Sequence, residues 1–354
     1  MHKHLLLAAF ANQAWAMDQA HLTTFASVLH RWSSGESASA EVMAQVEAAK
    51  AARATRSKSA TNIGSGIAVL PLYGVMAQRA NMADDVSGSG GTSTQAFTAA
   101  FRDALDDDSV GGIIIDIDSP GGSVFGTGEL AAEIFNARGK KPIYGYVNSL
   151  CASAAYWAGA QCAQLFITSG GQAGSVGVYM QHIDESGALD KAGLKAEFIS
   201  AGKYKVEGNT LAPLDDDARA SLQKTVDAYY TSFTSAVAKG RGVPVASVRS
   251  GFGEGRCLLA QDALSAGMVD GICTFDEVVS RMSKAIKSGG SGARAGSLDL
   301  DVEANELSQT TDGQALADNT ISQVTQTNVV DPLADKAHLI RMAARKRELE
   351  LISA

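Results

Sequence analysis

The sequence predicts an α/β fold with a mostly parallel sheet. Short apolar runs alternate with helical patterns between residues 67 and 285, which is the spacing of strand–helix units. The run Ile113-Ile-Ile115 is continuous and β-branched, as in a strand buried on both faces of a parallel sheet. The turn Asp118-Ser-Pro-Gly-Gly122 follows it. Because ligands bind beyond the carboxyl ends of such strands, we expect a site here; a tight turn of small residues is the other interpretation.

The other elements follow from apolar periodicity and capping residues. The predicted strands cover residues 67–76 (with Pro71 at an edge or bend), 141–147, 165–168, 176–180 and 196–200. The predicted helices begin at Ser93 or Thr94, near Thr127, near Leu150 and near Asp215, and one more covers residues 184–192. The helix from Asp215 is long and ends at Gly240-Arg-Gly-Val-Pro244, where glycine and proline stop it.

The two ends of the chain differ from this central region. Residues 1–16 resemble a signal peptide that ends in Ala14-Trp-Ala16, but Asn12-Gln13 interrupts the apolar run and an amphipathic pattern continues to Trp32. We therefore expect residues 1–62 to form a helical N-terminal arm outside the main sheet, and whether the apolar run is a cleaved signal stays open. No segment has the roughly 18 unbroken apolar residues of a membrane span.

The C-terminal end has a composition of its own. Residues 288–330 are rich in Gly, Ser, Thr, Gln and Asn and predict a flexible polar linker. Residues 331–354 predict a short basic helix, either a solvated helix or a scaffold-like docking segment.

Composition limits the classes of function. The chain has 354 residues, 45% of them hydrophobic and 19% charged, which is typical of a soluble core. Its net charge of −8 argues against a nucleic-acid partner. The four cysteines lack disulfide-framework and metal-site spacings, so they predict buried free thiols in a reducing, cytoplasmic compartment. We expect no metal and no other cofactor.

Nucleophilic catalysis requires a base near a hydroxyl or thiol. Five of the six histidines lie in the flanking arms, and the sixth, His182, has no independent support and is interpreted as structural. Lysine is the other base compatible with serine, provided that burial lowers its pKa. Lys203 and Lys205 share one face of any extended backbone, so spacing does not choose between them.

Four motifs together resemble one family. They are Asp118-Ser-Pro-Gly-Gly-Ser123, Leu150-Cys-Ala-Ser-Ala-Ala-Tyr-Trp-Ala158, Ala173-Gly-Ser-Val-Gly-Val178 and Ala201-Gly-Lys-Tyr-Lys205. Over about residues 65–285 the chain is similar to the signal peptide peptidase A (protease IV) family of Ser-Lys peptidases. The resemblance implies a peptidase domain over residues 63–287. It also implies the fold shared by the Clp protease subunit and crotonase, which has repeated ββα units and usually forms ring-like homo-oligomers.

The resemblance also implies roles for individual residues. Ser153 would be the nucleophile, and Lys205 rather than Lys203 would be the general base. Ser175 would hydrogen-bond the lysine amine and direct its lone pair towards Ser153.

The oxyanion hole would combine the amide of Ala154 with that of Gly121 or Gly122, and Gly121 is slightly favoured. This chain has Ala154-Ala155 where the family usually has two glycines, which puts the shape of the groove in doubt.

The polar linker, the basic terminal helix and the lack of an apparent membrane anchor resemble the head maturation proteases of tailed phages. That resemblance implies scaffold, portal and capsid chains, and the protease's own ends, as substrates within the assembling prohead. The other interpretations are a signal-peptide-degrading peptidase of the same family, a crotonase-like acyl-CoA enzyme and a non-catalytic assembly protein.

Overall fold

The structure is a computed structural model that describes residues 14–18, 61–63, 66–79 and 91–289. The predictions for the rest of the N-terminal arm, for the linker beyond residue 289 and for the C-terminal helix lie outside these residues.

A mostly parallel sheet forms the centre of the described region, as predicted. Its strands are β2 (Thr61–Ile63), β3 (Ile67–Tyr73), β6 (Gly112–Ser119), β8 (Ile143–Ala152), β9 (Gln164–Ile167), β10 (Gln172–Gly174), β11 (Cys257–Leu259) and β12 (Gly271–Ile272). The order is β11-β10-β8-β6-β3-β2, and β9 joins β8 to β12. Only β2 with β3 and β10 with β11 pair in the antiparallel direction. The carboxyl ends of β6, β8 and β10 therefore meet at one edge.

Eight α-helices are found within the described residues. They are α1 (Thr94–Asp106), α2 (Thr127–Ala137), α3 (Ala154–Gly159), α4 (Ser186–Lys191), α5 (Asp216–Arg241), α6 (Val245–Gly251), α7 (Ala260–Ser265) and α8 (Phe275–Lys287). The caps explain their limits: Ser93 accepts a hydrogen bond from the amide of Ala96, and Asp215 accepts one from the amide of Ala218. Gly242 ends α5 in the left-handed conformation. No helix in these ranges is long and apolar enough to cross a bilayer.

The alternation of β6 divides the core in two. Ile113, Ile115 and Ile117 belong to the larger apolar cluster, which also includes residues of α1, α2 and α3. Ile114 lies on the other face with Val278 and Met282 of α8, and all three have no exposed surface. Because both faces of β6 are covered, its unbroken apolar run is explained.

A second, smaller sheet has the order β1-β7-β4-β5. Its strands are β1 (Trp15–Met17), β4 (Met76–Ala77), β5 (Thr92–Ser93) and β7 (Gly121–Ser123). Residues 15–17 form strand β1 in place of the helix that was predicted for the N-terminal arm, and this strand belongs to the smaller sheet rather than to the main one. Pairing with β7 satisfies its backbone and buries residues 14–17, so tertiary contacts override the local amphipathic pattern.

Three local predictions differ from the structure. Residues 176–180 form only an isolated bridge, at Tyr179, and residues 196–200 are exposed without regular structure. The helix expected from Leu150 begins at Ala154, because β8 continues through Ala152. Apolar composition predicted strands at residues 176–180 and 196–200, but a strand also requires a neighbour to pair with.

Candidate active site

Two serines leave the sheet side by side at the carboxyl ends of paired strands. Ala152, the last residue of β8, pairs with Gly174, the last residue of β10. Ser153 and Ser175 come directly after them, and the Ser153 amide donates a 2.7 Å hydrogen bond to the Gly174 carbonyl oxygen. The pairing of these two strands therefore places both serines at one edge.

Ser153 occupies a strained turn between β8 and α3. Its backbone has φ 54° and ψ −116°. This conformation costs a non-glycine residue about 1–3 kcal/mol, and it persists only where the surrounding structure enforces it. The amide of Trp157 donates a 2.9 Å hydrogen bond to its carbonyl oxygen. Such strand-to-helix turns present a nucleophile away from its own backbone. The side chain is completely buried, and its hydroxyl donates to the Gly177 carbonyl oxygen at 3.4 Å.

Ser175 also has a positive φ, of 53°. Its amide donates a 2.8 Å hydrogen bond to the carbonyl oxygen of Arg256, which fixes the turn after β10. Within the described part of the chain its hydroxyl makes no hydrogen bond, although the residue is only 6% exposed. The hydroxyl is thus available to a partner that enters the site.

The turn after β6 lies against the turn that carries Ser153. Gly121 has φ 93°, and a methyl group on it would come within 2.8 Å of the Ala152 carbonyl oxygen and 2.9 Å of the Ala154 amide nitrogen. The Gly121 amide itself donates to the Ser119 hydroxyl at 3.2 Å. Gly121 therefore lies beside the Ala154 amide, as an oxyanion hole would require.

Gly122 lies against β4, because a methyl group there would come within 2.0 Å of the Met76 carbonyl oxygen. The two glycines therefore have different nearest neighbours: those of Gly121 include the turn of the candidate nucleophile, and those of Gly122 belong to Met76.

The structure does not bring the predicted lysine to the serines. Lys205 lies in an exposed turn, where its amide donates a 3.1 Å hydrogen bond to the Gly202 carbonyl oxygen. The ammonium of Lys203 lies 4.6 Å from the centre of the Tyr204 ring. A recessed lysine was expected, and neither side chain is recessed within this single chain.

His182 is half-buried, and its Nε2 atom has no hydrogen-bond partner among the described residues. It makes no hydrogen bond to Ser153 or Ser175 in this part of the molecule. These residues also contain no group of three or more His, Cys, Asp or Glu side chains placed to bind a metal ion.

A buried carboxyl group behind the site was missed by the sequence analysis. Asp116 on β6 is 8% exposed, and its Oδ2 accepts a short hydrogen bond from the Tyr73 hydroxyl. Burial raises the pKa of Asp116, while the hydrogen bonds from Tyr73 and Asn148 act in the opposite direction. Two aspartates, Asp116 and Asp118, interrupt the apolar strand Gly112–Ser119, and Asp116 is the buried one; a charged residue in this apolar run was the available signal.

Comparison with known proteins agrees with this geometry. Residues 136–288 match the model of peptidase family S49. The chain is 32% identical over 224 residues to the head-tail preconnector protein GP5 of Enterobacteria phage P21, covering 63% of this chain and 44% of that protein. It is 30% identical over 246 residues to the capsid assembly protease C of Escherichia phage lambda, covering 70% of this chain and 55% of that protein.

A third relative is a putative signal peptide peptidase SppA of Enterococcus faecium, 28% identical over 196 residues that cover 54% of this chain and 56% of the relative. The chain thus spans about half the length of each of these relatives. The family match includes both serines and both candidate lysines. Residues 136–288 of this chain, which include Ser153, Ser175 and Lys205, are therefore similar to peptidase family S49.

Proposed function

We propose that the chain is a serine endopeptidase and that Ser153 is its nucleophile. The observation that carries this proposal is the buried, positive-φ turn of Ser153, with the Ala154 amide and Gly121 beside it. This combination supplies a hydroxyl held away from its own backbone and amides for a developing negative charge. The match of residues 136–288 to a peptidase family supports the same reaction.

The reaction would proceed by acyl transfer. The Ser153 hydroxyl attacks the substrate carbonyl carbon while Lys205 accepts its proton, and the amide of Ala154, with that of Gly121 or Gly122, stabilises the oxyanion. The carbon–nitrogen bond breaks, and the leaving amine takes a proton from Lys205. Water then hydrolyses the ester on Ser153. Ser175 would hold the lysine amine in position.

The test of this activity is cleavage of an unfolded protein by the full-length chain. Ser153→Ala is expected to abolish cleavage, whereas Ser250→Ala should retain it. Ser250 is an exposed serine on α6 whose hydroxyl bonds only to the Ala246 carbonyl oxygen, so it is a matched control. Equal activity of Ser153→Ala and the wild type would contradict the proposal.

The position of Lys205 leads us to propose a homo-oligomer. A lysine base must lose most of its water, but Lys205 is exposed in one copy. It belongs to an exposed segment with unusual apolar surface: Leu194 is 59% exposed, Phe198 48%, Ile199 99% and Tyr204 58%. Apolar patches of this kind mark protein interfaces. A second copy of the chain would cover this segment. Lys205 of the first copy would then lie in the active site of the second copy, beside the Ser153 of that second copy.

Co-production of two inactive variants tests this shared site. Ser153→Ala and Lys205→Ala are each expected to be inactive alone, and activity should return in the mixed oligomer because one intact site can form across the interface. Lys203→Ala should stay active by itself. A mixture that stays inactive, although both variants assemble, would show that the dyad does not form between copies.

For the substrate we propose the proteins of an assembling phage shell, with the host cytoplasm and the prohead as the location. Two relatives support this proposal, since one is named as a capsid assembly protease and the other as a head-tail preconnector protein. The putative signal peptide peptidase supports signal peptides as the second candidate. Co-production with shell, portal and scaffold proteins, or incubation with isolated signal peptides, should show cleavage of the first set and little of the second.

A further inference from the structure

Strand β1 lies next to Gly121, which contacts the turn that carries Ser153, and it is hydrogen-bonded along both edges. On one side Trp15, Ala16 and Met17 pair with Ser123, Gly122 and Gly121 in the antiparallel direction. On the other side Trp15 exchanges two hydrogen bonds, of 3.0 and 3.1 Å, with Tyr179, which follows Ser175 and Gly177 in sequence. A peptide that adds a strand to a peptidase groove is held by such main-chain bonds.

The ends of the segment are held in the same way. The amide of Val124 donates to the Ala14 carbonyl oxygen at 3.3 Å, and the amide of Asp18 donates to the Pro120 carbonyl oxygen at 2.8 Å. Residues 14–18 therefore lie in an extended conformation along the turn that contains Gly121.

The carbonyl group of Ala16 lies beside the candidate oxyanion hole. A methyl group on Gly121 would come within 2.3 Å of the Ala16 carbonyl oxygen and 2.9 Å of the Ala154 amide nitrogen. Both atoms thus flank one point next to Gly121. Ser153, the residue before Ala154, has no exposed surface, so a substrate from solution has no access to its hydroxyl in this arrangement.

The side chains of the segment show which residues the groove accepts. Ala14 and Ala16 point to the same face, as residues two apart do in a strand, and both belong to the main apolar cluster. They are 3% and 0% exposed, which leaves little room for a larger side chain. Trp15 and Met17 alternate with them and are 3% and 2% exposed.

We propose that residues 14–18 are a built-in substrate and that the peptidase hydrolyses its own Ala16–Met17 bond. The proposal rests on the proposed function. The Ser153 oxygen forms an ester with the Ala16 carbonyl carbon, the bond to the Met17 nitrogen breaks, and Met17 leaves as an amine with the proton that Ser153 lost. One water molecule then releases Ala16 as a carboxylic acid and restores the serine. The substrate class is an extended peptide with a small residue before the cleaved bond and another two residues earlier.

Cleavage would also open the groove. While β1 is part of the same chain, its effective concentration is in the millimolar range and it excludes other peptides from the same edges. Once the bond after Ala16 is cut, residues 14–16 are no longer tethered to Met17, so other peptides can compete for the same strand edges. Self-cleavage is thus the step that would admit other proteins.

Cell-free synthesis without membranes, followed by intact-mass analysis, tests this inference. The full-length wild type is expected to lose residues 1–16 and begin at Met17, and Ser153→Ala should remain whole. Ala16→Ser keeps a small side chain and should still be cut, whereas Ala16→Ile should slow cutting at least tenfold. Because Ala16→Ile could also fail to fold, a separate peptide with the sequence of residues 11–20 is offered to the processed wild type, which should cut it after the second alanine of Ala-Trp-Ala.

The outcomes separate this inference from the proposed function. Wild type that degrades an added unfolded protein but keeps the Ala16–Met17 bond would overturn the inference and leave the peptidase activity standing. Cutting at this bond in Ser153→Ala as well would assign it to another enzyme, such as a signal peptidase, and would also overturn the inference. If neither the added protein nor the bond is cut, both proposals fail.

Discussion

At the scale of single residues, the two serines with positive φ have different expected effects. Ser175 has no hydrogen bond from its hydroxyl within the described residues, so we assign it to holding the lysine amine rather than to attack. Ser175→Ala should lower turnover by about 10- to 1,000-fold and leave a measurable remainder, because only a positioning contact is lost. Cleavage assays with both serine variants measure this, and a Ser175→Ala protein as inactive as Ser153→Ala would contradict the assignment.

Gly122 permits a close approach of two backbones. A methyl group there would lie 2.0 Å from the Met76 carbonyl oxygen, and the backbone of β4 would have to move. Gly122→Ala should therefore destabilise the fold by about 1–3 kcal/mol, as overpacking does. Thermal unfolding measures the change. Gly139→Ala is the matched control, since nothing lies within 4 Å of its added methyl group, and it should unfold like the wild type.

Asp116 gives a prediction about pH. Burial raises its folded pKa, so between the ordinary value of about 3.9 and the folded value the native state binds more protons than the unfolded chain. Stability should then fall as pH rises through this interval, by at most about 1.4 kcal/mol per pH unit. Asp116→Asn has no proton to lose. Its free energy of unfolding, measured with urea, should therefore rise relative to that of the wild type as pH increases over the same interval. A constant difference from pH 3 to 7 would show that the carboxyl does not titrate in this way.

At the scale of elements, a buried ion pair joins the end of α5 to the strands behind the site. The Arg241 side chain has no exposed surface and binds both carboxylate oxygens of Asp270, at 2.8 and 2.9 Å, while Asp270 also accepts the amide of Leu165. Arg241→Ala would leave the Asp270 carboxylate, which is only 18% exposed, without its charge partner and should cost up to about 3–5 kcal/mol.

A matched control exists for this pair. Arg102 and Glu133 also form a direct ion pair, at 2.8 Å, but their side chains are 60% and 31% exposed. Arg102→Ala should therefore cost much less than Arg241→Ala in the same chemical unfolding measurement, because solvent screens an exposed pair. Equal losses from both substitutions would show that burial does not determine the contribution of these pairs.

The same scale shows what sequence patterns can predict. The helix Asp216–Arg241 was predicted because its apolar period, the cap at Asp215 and the glycine stop are all local signals. Strand β1 was missed, since its structure depends on pairing with Gly121–Ser123, about a hundred residues later in the chain. The prediction of a strand at residues 196–200 was wrong, because the apolar pattern alone does not show whether a neighbouring strand is present to pair with.

The candidate site shows the same limit. The family resemblance predicted that Ser153, Ser175 and Gly121 would share a site, and the structure places them next to one another, although their roles stay predictions. The position of Lys205 could not be deduced from one sequence, because it depends on what covers its segment.

At the scale of the whole molecule, we predict different tasks for two parts of the chain. The C-terminal residues 288–354 should recruit the protein to assembling shells, and the peptidase domain, residues 63–287, should catalyse cleavage. The described structure ends at residue 289, after α8, and the polar linker begins at residue 288. A chain that ends at Lys287 should still cleave an added unfolded protein but should not enter assembling shells. Incorporation of the shortened chain at the level of the intact one would contradict this.

The linker should also be cut by the enzyme itself, within residues 288–330, since an extended polar segment can enter a groove as a strand. Mass spectrometry after long incubation measures this, with Ser153→Ala as the control. An intact linker in the active enzyme would contradict the expectation.

Strand β1 has one more consequence under the self-cleavage proposed above. An inhibitor that only dissociates can return when conditions change, but a hydrolysed peptide bond is not remade in water. Each molecule would pass from closed to open once, and no dilution or change of partner would reverse it. The age of a population of these molecules would therefore be recorded in its N-termini, as the fraction that begins at Met17.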